Sequence, residues 1–251
     1  MEFSIDIREK NGVRSLHFDE RWMQGAMRID APWHLELEYT RVMMASLLMR
    51  DDASFPRNAL LIGLGAGSLA KFLYLNFPLA QLTVVEIDPR VVEAAQRYFE
   101  LPDDSETLHV VIGDGVEYIS VTDETYDLIL VDGFNEHAHP GDLNTLPFYQ
   151  ACRSRLSEQG LLAVNLIGLS RGYKGGFVHI EAAFDGRAMM FPMCQSGNTI
   201  AFAAAGAEVH VPLAELKCRA MKFEEHTSLA LMPDISGLEH SPACPDGVLR
   251  I

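Results

Sequence analysis

Short apolar runs recur along the middle of the chain, each ending in a glycine or an acid and each followed by apolar positions at helical spacing. Ala59–Ile62, Leu82–Ile87, Leu108–Ile112, Tyr126–Val131 and Leu161–Ile167 read as buried strands, since parallel strands covered on both faces show continuous apolar runs. Helices are expected over Ser68–Phe77, Asp88–Phe99, a short piece after Gly115, Thr145–Leu156 and residues 173–184. Asp88-Pro89 supplies an N-cap and a first-turn proline, and Gly160 is read as the stop after the helix that ends at Leu156. Strands alternating with helices give an α/β fold, a Rossmann-like, doubly wound, mostly parallel sheet of seven strands. Ala188–Met193 and Thr199–Ala204, joined through Gly197-Asn198, complete that sheet with an antiparallel partner at one edge.

The first thirty residues follow a different period. Phe3–Arg8 and Val13–Phe18 flank Asn11-Gly12, a hairpin signal because both turn residues tolerate positive φ, and Arg21–Arg28 alternates as a third strand. Leu35–Leu48 has helical spacing, and Leu213–Glu224 predicts a final helix. The expected organisation is a β segment over 1–32, a Rossmann-like domain over 33–232, and a tail over 233–251. The tail is rich in proline, glycine and serine and reads as coil.

Composition narrows the function. Twenty basic against 35 acidic residues leave a net charge of −15, which disfavours a nucleic-acid partner and steers cations inward. Cys152, Cys194, Cys218 and Cys244 form no C-x-x-C pair, so neither a zinc site nor a redox motif is expected, and free thiols fit a cytoplasmic setting. The N-terminus lacks a basic stretch followed by an apolar one, and no apolar run reaches bilayer length, so no signal peptide and no membrane partner are expected.

Ligands of open α/β sheets sit beyond the carboxyl ends of the strands. The residues there are Gly63-Leu-Gly65-Ala-Gly67, then Glu86, Asp114-Gly115, and Asp132 onward. The glycines permit a tight turn and close ligand approach, and the following helix N-terminus offers free N–H groups. Glu86 lies about twenty positions after the glycine turn, where a carboxylate takes both ribose hydroxyls. Asp114 can take the exocyclic amine of an adenine, or simply cap the next helix. Acids at three successive strand ends favour an adenosyl ligand.

Leu61-Ile-Gly-Leu-Gly-Ala-Gly67, Val84-Val-Glu-Ile-Asp-Pro89, Ile112-Gly-Asp-Gly-Val-Glu-Tyr-Ile119 and Tyr126-Asp-Leu-Ile-Leu-Val-Asp132 resemble, in this order, the spermidine synthase (polyamine aminopropyltransferase) family. That family shares the fold of S-adenosylmethionine-dependent methyltransferases. Leu16–Gln24 looks like its strand ending in a cofactor-touching Gln, and Leu146-Pro-Phe-Tyr149 like its substrate-side helix. The resemblance spans roughly residues 13–205. It implies that Gln24, Gly63, Gly65, Gly67, Glu86, Ile87, Asp114, Gly115 and Asp132 hold decarboxylated S-adenosylmethionine, or S-adenosylmethionine itself. Tyr39, Ala66, Asp132 and Tyr149 would face a small amine acceptor. Asp132, Asn135 and Glu136 are the candidate catalytic residues. The implied reaction is aminopropyl transfer to putrescine or another amine, in spermidine (polyamine) biosynthesis, with no metal because a sulfonium already leaves well. A homodimer is the implied assembly.

Three positions depart from the family pattern. The proton-accepting acid of the loop after the fourth strand is Asn135, Tyr-His-Glu reads Tyr39-Thr-Arg41, and the acid of the glycine turn is Ala66. Asp132, Glu136 and Asp142 remain as replacements. Ala66 motivates a methyltransferase alternative, and Asn135 a catalytically silent adenosyl-binding homologue. Other signals are weaker. Gly168-Leu-Ser170-Arg-Gly172 matches the hydrolase Gly-x-Ser-x-Gly, but Tyr173-Lys-Gly-Gly starts a helix poorly. His137-x-His139 with Asp142 lacks further ligand spacing, and Trp33 and Tyr39 fit either the substrate mouth or plain packing.

Overall fold

The structure, a computed structural model, describes residues 4–18, 22–167, 172–241 and 244–251. The Gly-x-Ser-x-Gly stretch falls largely outside the described residues. Strands β1 (Ile5–Lys10), β2 (Val13–Phe18) and β3 (Trp22–Arg28) form an antiparallel sheet. Asn11 and Gly12 turn the first hairpin with φ of 53° and 76°, the left-handed pair that matches strand twist.

Helix α1 (Glu38–Met43) tightens into a 3-10 turn over Met44–Leu48, where a single helix over 35–48 is expected. Every residue of that turn is buried, and Ser46 Oγ donates to the Met43 carbonyl at 2.8 Å, so a side chain competes for the backbone acceptor.

The main unit then alternates: β4 (Asn58–Ile62), α2 (Ser68–Asn76), β5 (Gln81–Glu86), α3 (Pro89–Tyr98), β6 (Leu108–Ile112), α4 (Gly115–Val121), β7 (Tyr126–Val131), α5 (Leu146–Ser154) and β8 (Leu156–Ile167). Helix α6 (Gly172–Ala183), β9 (Ala188–Met190) and β10 (Asn198–Ala204) follow. The seven-stranded sheet has the order β6-β5-β4-β7-β8-β10-β9, with β10 antiparallel to both neighbours. The chain reverses its direction of travel between β4 and β7, and that switch point fixes where a ligand crevice opens. Alternate residues of the central strands feed two apolar layers: Leu61, Leu128 and Leu130 face one, Leu60, Ile62, Ile129 and Val131 the other.

Two boundaries differ from the sequence reading. Helix α5 ends at Ser154, and β8 begins at Leu156 rather than after Gly160. Tyr126 pairs with Leu156 and Leu128 with Leu161, so Ser157–Gly160 loops out of register. Ser157 Oγ donates to Asp127 Oδ1 at 2.6 Å and holds that excursion against the strand.

The tail is not coil. After β11 (His210–Pro212) and α7 (Leu213–Thr227), the chain forms α8 (Met232–Ser236) and β12 (Val248–Arg250), which pairs with β11. Leu231, Ile235, Leu238, Leu249 and Ile251 are all buried in the same core as α1 and α7. These scattered apolar residues outweigh the turn-forming composition around them. No helix among the described residues is long and apolar enough to cross a membrane.

Candidate active site

A cleft of about 880 Å³ opens at the carboxyl ends of β4, β5, β6, β7 and β8. Its rim is set by β3, the start of α1, the loop after β7 and the hairpin between β9 and β10. Glu38, Glu86, Asp88, Asp114, Asp132, Glu136 and Asp142 line it, and no lysine or arginine does among the described residues. The net negative charge is thus concentrated where a ligand would sit.

The glycine turn is dictated by crowding. Gly63 has φ +95°, and a Cβ there would lie 2.2 Å from the Asp132 carbonyl oxygen. Gly65 has φ +53° and abuts the Gln24 carbonyl, so β3 is pressed directly onto the turn. Gly67 (φ +70°) starts α2 but faces Leu101 and does not line the cleft; its part is to shape the turn. Ala66 is likewise turned away, buried with Gly25 packed on its methyl. The expectation that Ala66 faces the substrate is therefore corrected: the close approach of β3 leaves it no path to the cleft.

Glu86, 8% exposed, ends β5. Its Oε2 accepts the Leu64 N–H at 2.9 Å and its Oε1 the Asp88 N–H at 3.0 Å, stapling the glycine turn to the β5–α3 junction. Burial pushes its carboxyl above the usual range, against the lowering effect of the backbone donors. The Ile87 N–H also acts on this carboxylate, which lines the cleft. Ile87, next along, is an exposed apolar side chain on the cleft wall, with Val116 and Leu143 lining the same space. Asp114 caps α4, its Oδ1 accepting the Val116 N–H at 2.7 Å and the Glu117 N–H at 3.4 Å, and the residue also lines the cleft. Gly115 is packed on Ile62, where a Cβ would lie 2.4 Å from the Ile62 methyl.

Asp132 sits at the cleft floor. Its Oδ2 accepts from the Tyr39 hydroxyl at 3.0 Å and its Oδ1 from Asn165 Nδ2 at 2.7 Å. Burial raises its carboxyl above the ordinary value of 3.8, opposed by those two donors. Burial first, then the Asp132 charge, raises the Tyr39 hydroxyl well above 10.0, so Tyr39 keeps its proton and serves as a donor. Asn165 is held in turn by Asn198, whose Nδ2 donates to Asn165 Oδ1 at 2.8 Å.

The remaining candidates divide. Glu136 lines the cleft. Asn135 lines it too, on its exposed side, and its Oδ1 accepts the N–H groups of His137 (2.9 Å) and His139 (3.0 Å). It organises its own loop, and the two histidines there are part of that turn. Tyr149 does not reach the cleft: it is fully buried on the inner side of α5, packs edge-on against Phe148, and donates to Asn144 Oδ1 at 3.0 Å. The phase of α5 points it into the core. Trp33 is also off the cleft, stacked 6.5 Å from Tyr74, whereas Tyr39 is on it. Sequence reasoning missed Glu38, Asn165, Ser196 and Asn198. The available signal was Asn165, a polar residue inside the otherwise apolar Leu161–Ile167 run.

Comparisons with known proteins identify the family and the fold. The spermine/spermidine synthase domain family matches residues 36–165. The polyamine aminopropyltransferase of Chromobacterium violaceum is 34% identical over 98% of this chain and 94% of its own length. A probable spermidine synthase from Corynebacterium glutamicum has the same fold, with a TM-score of 0.73 over 88% of this chain and 86% of its own, at 18% identity. Human methyltransferase-like protein 13, solved in complex with SAH, is 27% identical with a TM-score of 0.68 over 76% of this chain and 93% of its own. With the domain match spanning the glycine turn, the Glu86 strand and the Asp132 floor, and with near full-length identity to an aminopropyltransferase, the chain belongs to the spermine/spermidine synthase family of transferases.

Proposed function

We propose that the protein transfers the aminopropyl group of decarboxylated S-adenosylmethionine to a primary amine of a small diamine such as putrescine. The observation that carries this reading is the cleft lined by seven acids and by no lysine or arginine among its described residues. Such a wall favours a sulfonium and an ammonium and disfavours the carboxylate of the intact cofactor.

In this reading Glu86 takes the ribose hydroxyls, Asp114 the adenine amine, and Ile87, Val116 and Leu143 the apolar faces of the base. Gly63 and Gly65 let the backbone approach, with Gln24 on the opposite rim. The acceptor nitrogen attacks the propyl carbon bonded to sulfur. A C–N bond forms, the C–S bond breaks, and its electron pair returns to sulfur, leaving neutral methylthioadenosine. Before that attack Asp132, whose carboxyl burial raises above its ordinary value, takes one proton from the reacting ammonium and so frees its lone pair; the product nitrogen keeps its remaining protons as a secondary ammonium. Tyr39 and Asn165 fix the orientation of that carboxylate. The four free thiols support a cytoplasmic setting, and the family likeness supports a homodimer.

A second reading, methyl transfer from intact S-adenosylmethionine, is favoured by one observation: human methyltransferase-like protein 13, solved in complex with SAH, shares this fold at 27% identity. Incubating the pure protein with putrescine and either cofactor separates the two. Methylthioadenosine plus spermidine from the decarboxylated cofactor is expected. S-adenosylhomocysteine from the intact cofactor, with no methylthioadenosine from the other, would overturn the first reading.

A further inference from the structure

One wall of the cleft is a continuous hydrogen-bonded belt. Tyr39 and Asn165 hold the two oxygens of Asp132. Asn198 Nδ2 donates to Asn165 Oδ1 at 2.8 Å, and Ser196 Oγ donates to Asn198 Oδ1 at 2.7 Å. The residue before Ser196 is Gln195, and its backbone N–H donates to Glu38 Oε2 at 2.8 Å. Glu38 is the chain neighbour of Tyr39, so the belt closes on itself. Both amides of the belt are used at both ends, which fixes their orientation and with it that of Asp132, while the Gln195 N–H holds one oxygen of Glu38.

Asp132 and Glu38 thus stand on one wall of the same cleft, and Glu38 has one oxygen that Gln195 does not occupy. Trp22, Met23, Leu37 and Met193 give that cleft apolar surface, and Met23 and Met193 are about half exposed within it. Two fixed anions with apolar surface around them are the complement of a molecule with two cationic ends and a methylene body.

Arg41 stands one helical turn along from Glu38, and both charges act on Asp234 and Cys194 beside them. Its guanidinium Nη1 donates to the Leu35 and Glu36 carbonyls, and it lies outside the cleft lining, with no ion pair to Glu38 among the described ones. Glu38 itself lines the cleft.

We propose that Glu38 determines acceptor specificity: it takes the second ammonium group of a diamine while Asp132 receives the reacting one. This rests on the aminopropyl-transfer reading for its chemistry. It assigns to a position outside the Tyr39-Thr-Arg41 triplet the anchoring acid that the triplet lacks.

Glu38→Gln tests it with little structural disturbance, since the amide oxygen still accepts the Gln195 N–H. Binding of 1,4-diaminobutane and of butylamine is measured calorimetrically with methylthioadenosine present, on wild type and variant. We expect the variant to bind the diamine about tenfold or more weakly, the loss of one charge-assisted bond, with butylamine unchanged. In turnover, the diamine KM should rise by the same factor while kcat changes less. Unchanged diamine affinity in the variant, an equal loss for butylamine, or no amine binding to wild type would each overturn the proposal. If the diamine binds through Glu38 but decarboxylated S-adenosylmethionine yields no methylthioadenosine, the specificity assignment stands and the transfer reading fails.

Discussion

Asp132→Asn separates catalysis from stability. In the native fold the carboxylate receives two bonds, from Tyr39 at 3.0 Å and Asn165 at 2.7 Å. Bonds to a charged acceptor contribute about 1.5–3 kcal/mol each. Yet the carboxyl lies above 3.8, because the cost of burying the charge exceeds the gain from its two donors. Asparagine removes that cost. Its oxygen still accepts from Asn165, and its amide can donate to the Tyr39 oxygen, each neutral bond contributing about 1 kcal/mol. The two changes nearly offset, and the variant should melt within about 4 °C of wild type at pH 7.

Activity should fall very differently. Loss of a positioned general base lowers kcat about 10²–10⁴-fold, equivalent to about 3–5 kcal/mol of barrier. The pH dependence has a definite sign. A carboxyl raised in the fold holds its proton to higher pH than in the unfolded chain, so native stability falls as pH rises from 3.8 through the folded value. The variant should lack that decline. Thermal melts from pH 3.5 to 8 and chromatographic detection of methylthioadenosine supply both measurements. A variant that keeps kcat within threefold, or that melts more than about 10 °C lower, would refute the argument, since the charge would then be structural.

Three further outcomes follow from particular contacts. Lys71 is 1% exposed, donates to the Pro32 carbonyl at 2.8 Å and the Phe99 carbonyl at 2.5 Å, and burial lowers its amine from 10.5 to about 8. Its contribution is lost as pH falls through about 8, so the stability of wild type relative to Lys71→Met should rise by about 3 kcal/mol between pH 8 and 10.5 in denaturant melts; a flat difference would contradict it. Asn135→Asp should leave kcat within about threefold, because an Asp can accept the same His137 and His139 N–H groups and the proposed mechanism gives the proton to Asp132; a gain of tenfold or more in steady-state assays would return the proton to position 135. Ala66→Asp should lower stability by about 3 kcal/mol or more by thermal melt instead of tightening the cofactor, because it buries a charge against Gly25; tighter cofactor binding with an intact Tm would show the turn facing the cleft.

Much of the backbone was legible because parallel strands are covered on both faces and write themselves as apolar runs. Glycines at 63 and 65 are legible for a related reason: crowding by the Asp132 and Gln24 carbonyls leaves no space for a Cβ, so the sequence must carry the mark. The elements that were misread lack such a mark. The turn at Met44–Leu48 has helical spacing, and only its complete burial and the Ser46 bond decide its pitch. The tail hides its core residues singly among Pro, Gly and Ser, and only pairing with β11 shows them to be structure.

Side-chain direction is the harder quantity. Matching family motifs position by position places Cα atoms at the site but does not aim what they carry. Ala66 and Tyr149 occupy motif positions and both point into the core, one because β3 closes over the turn, the other because of the phase of α5. Glu38, Asn165 and Asn198 belong to none of the matched motifs and all line the cleft. What unites them is a single chain of hydrogen bonds running from β7 through β8 and β10 to α1, elements far apart in sequence. A polar group inside an apolar strand must find a partner or cost about 1–3 kcal/mol, and Asn165 finds its partners in this chain. The departures at Thr40, Arg41 and Ala66 therefore do not strip the cleft of its acids; the belt that begins at Asp132 ends on another one, Glu38.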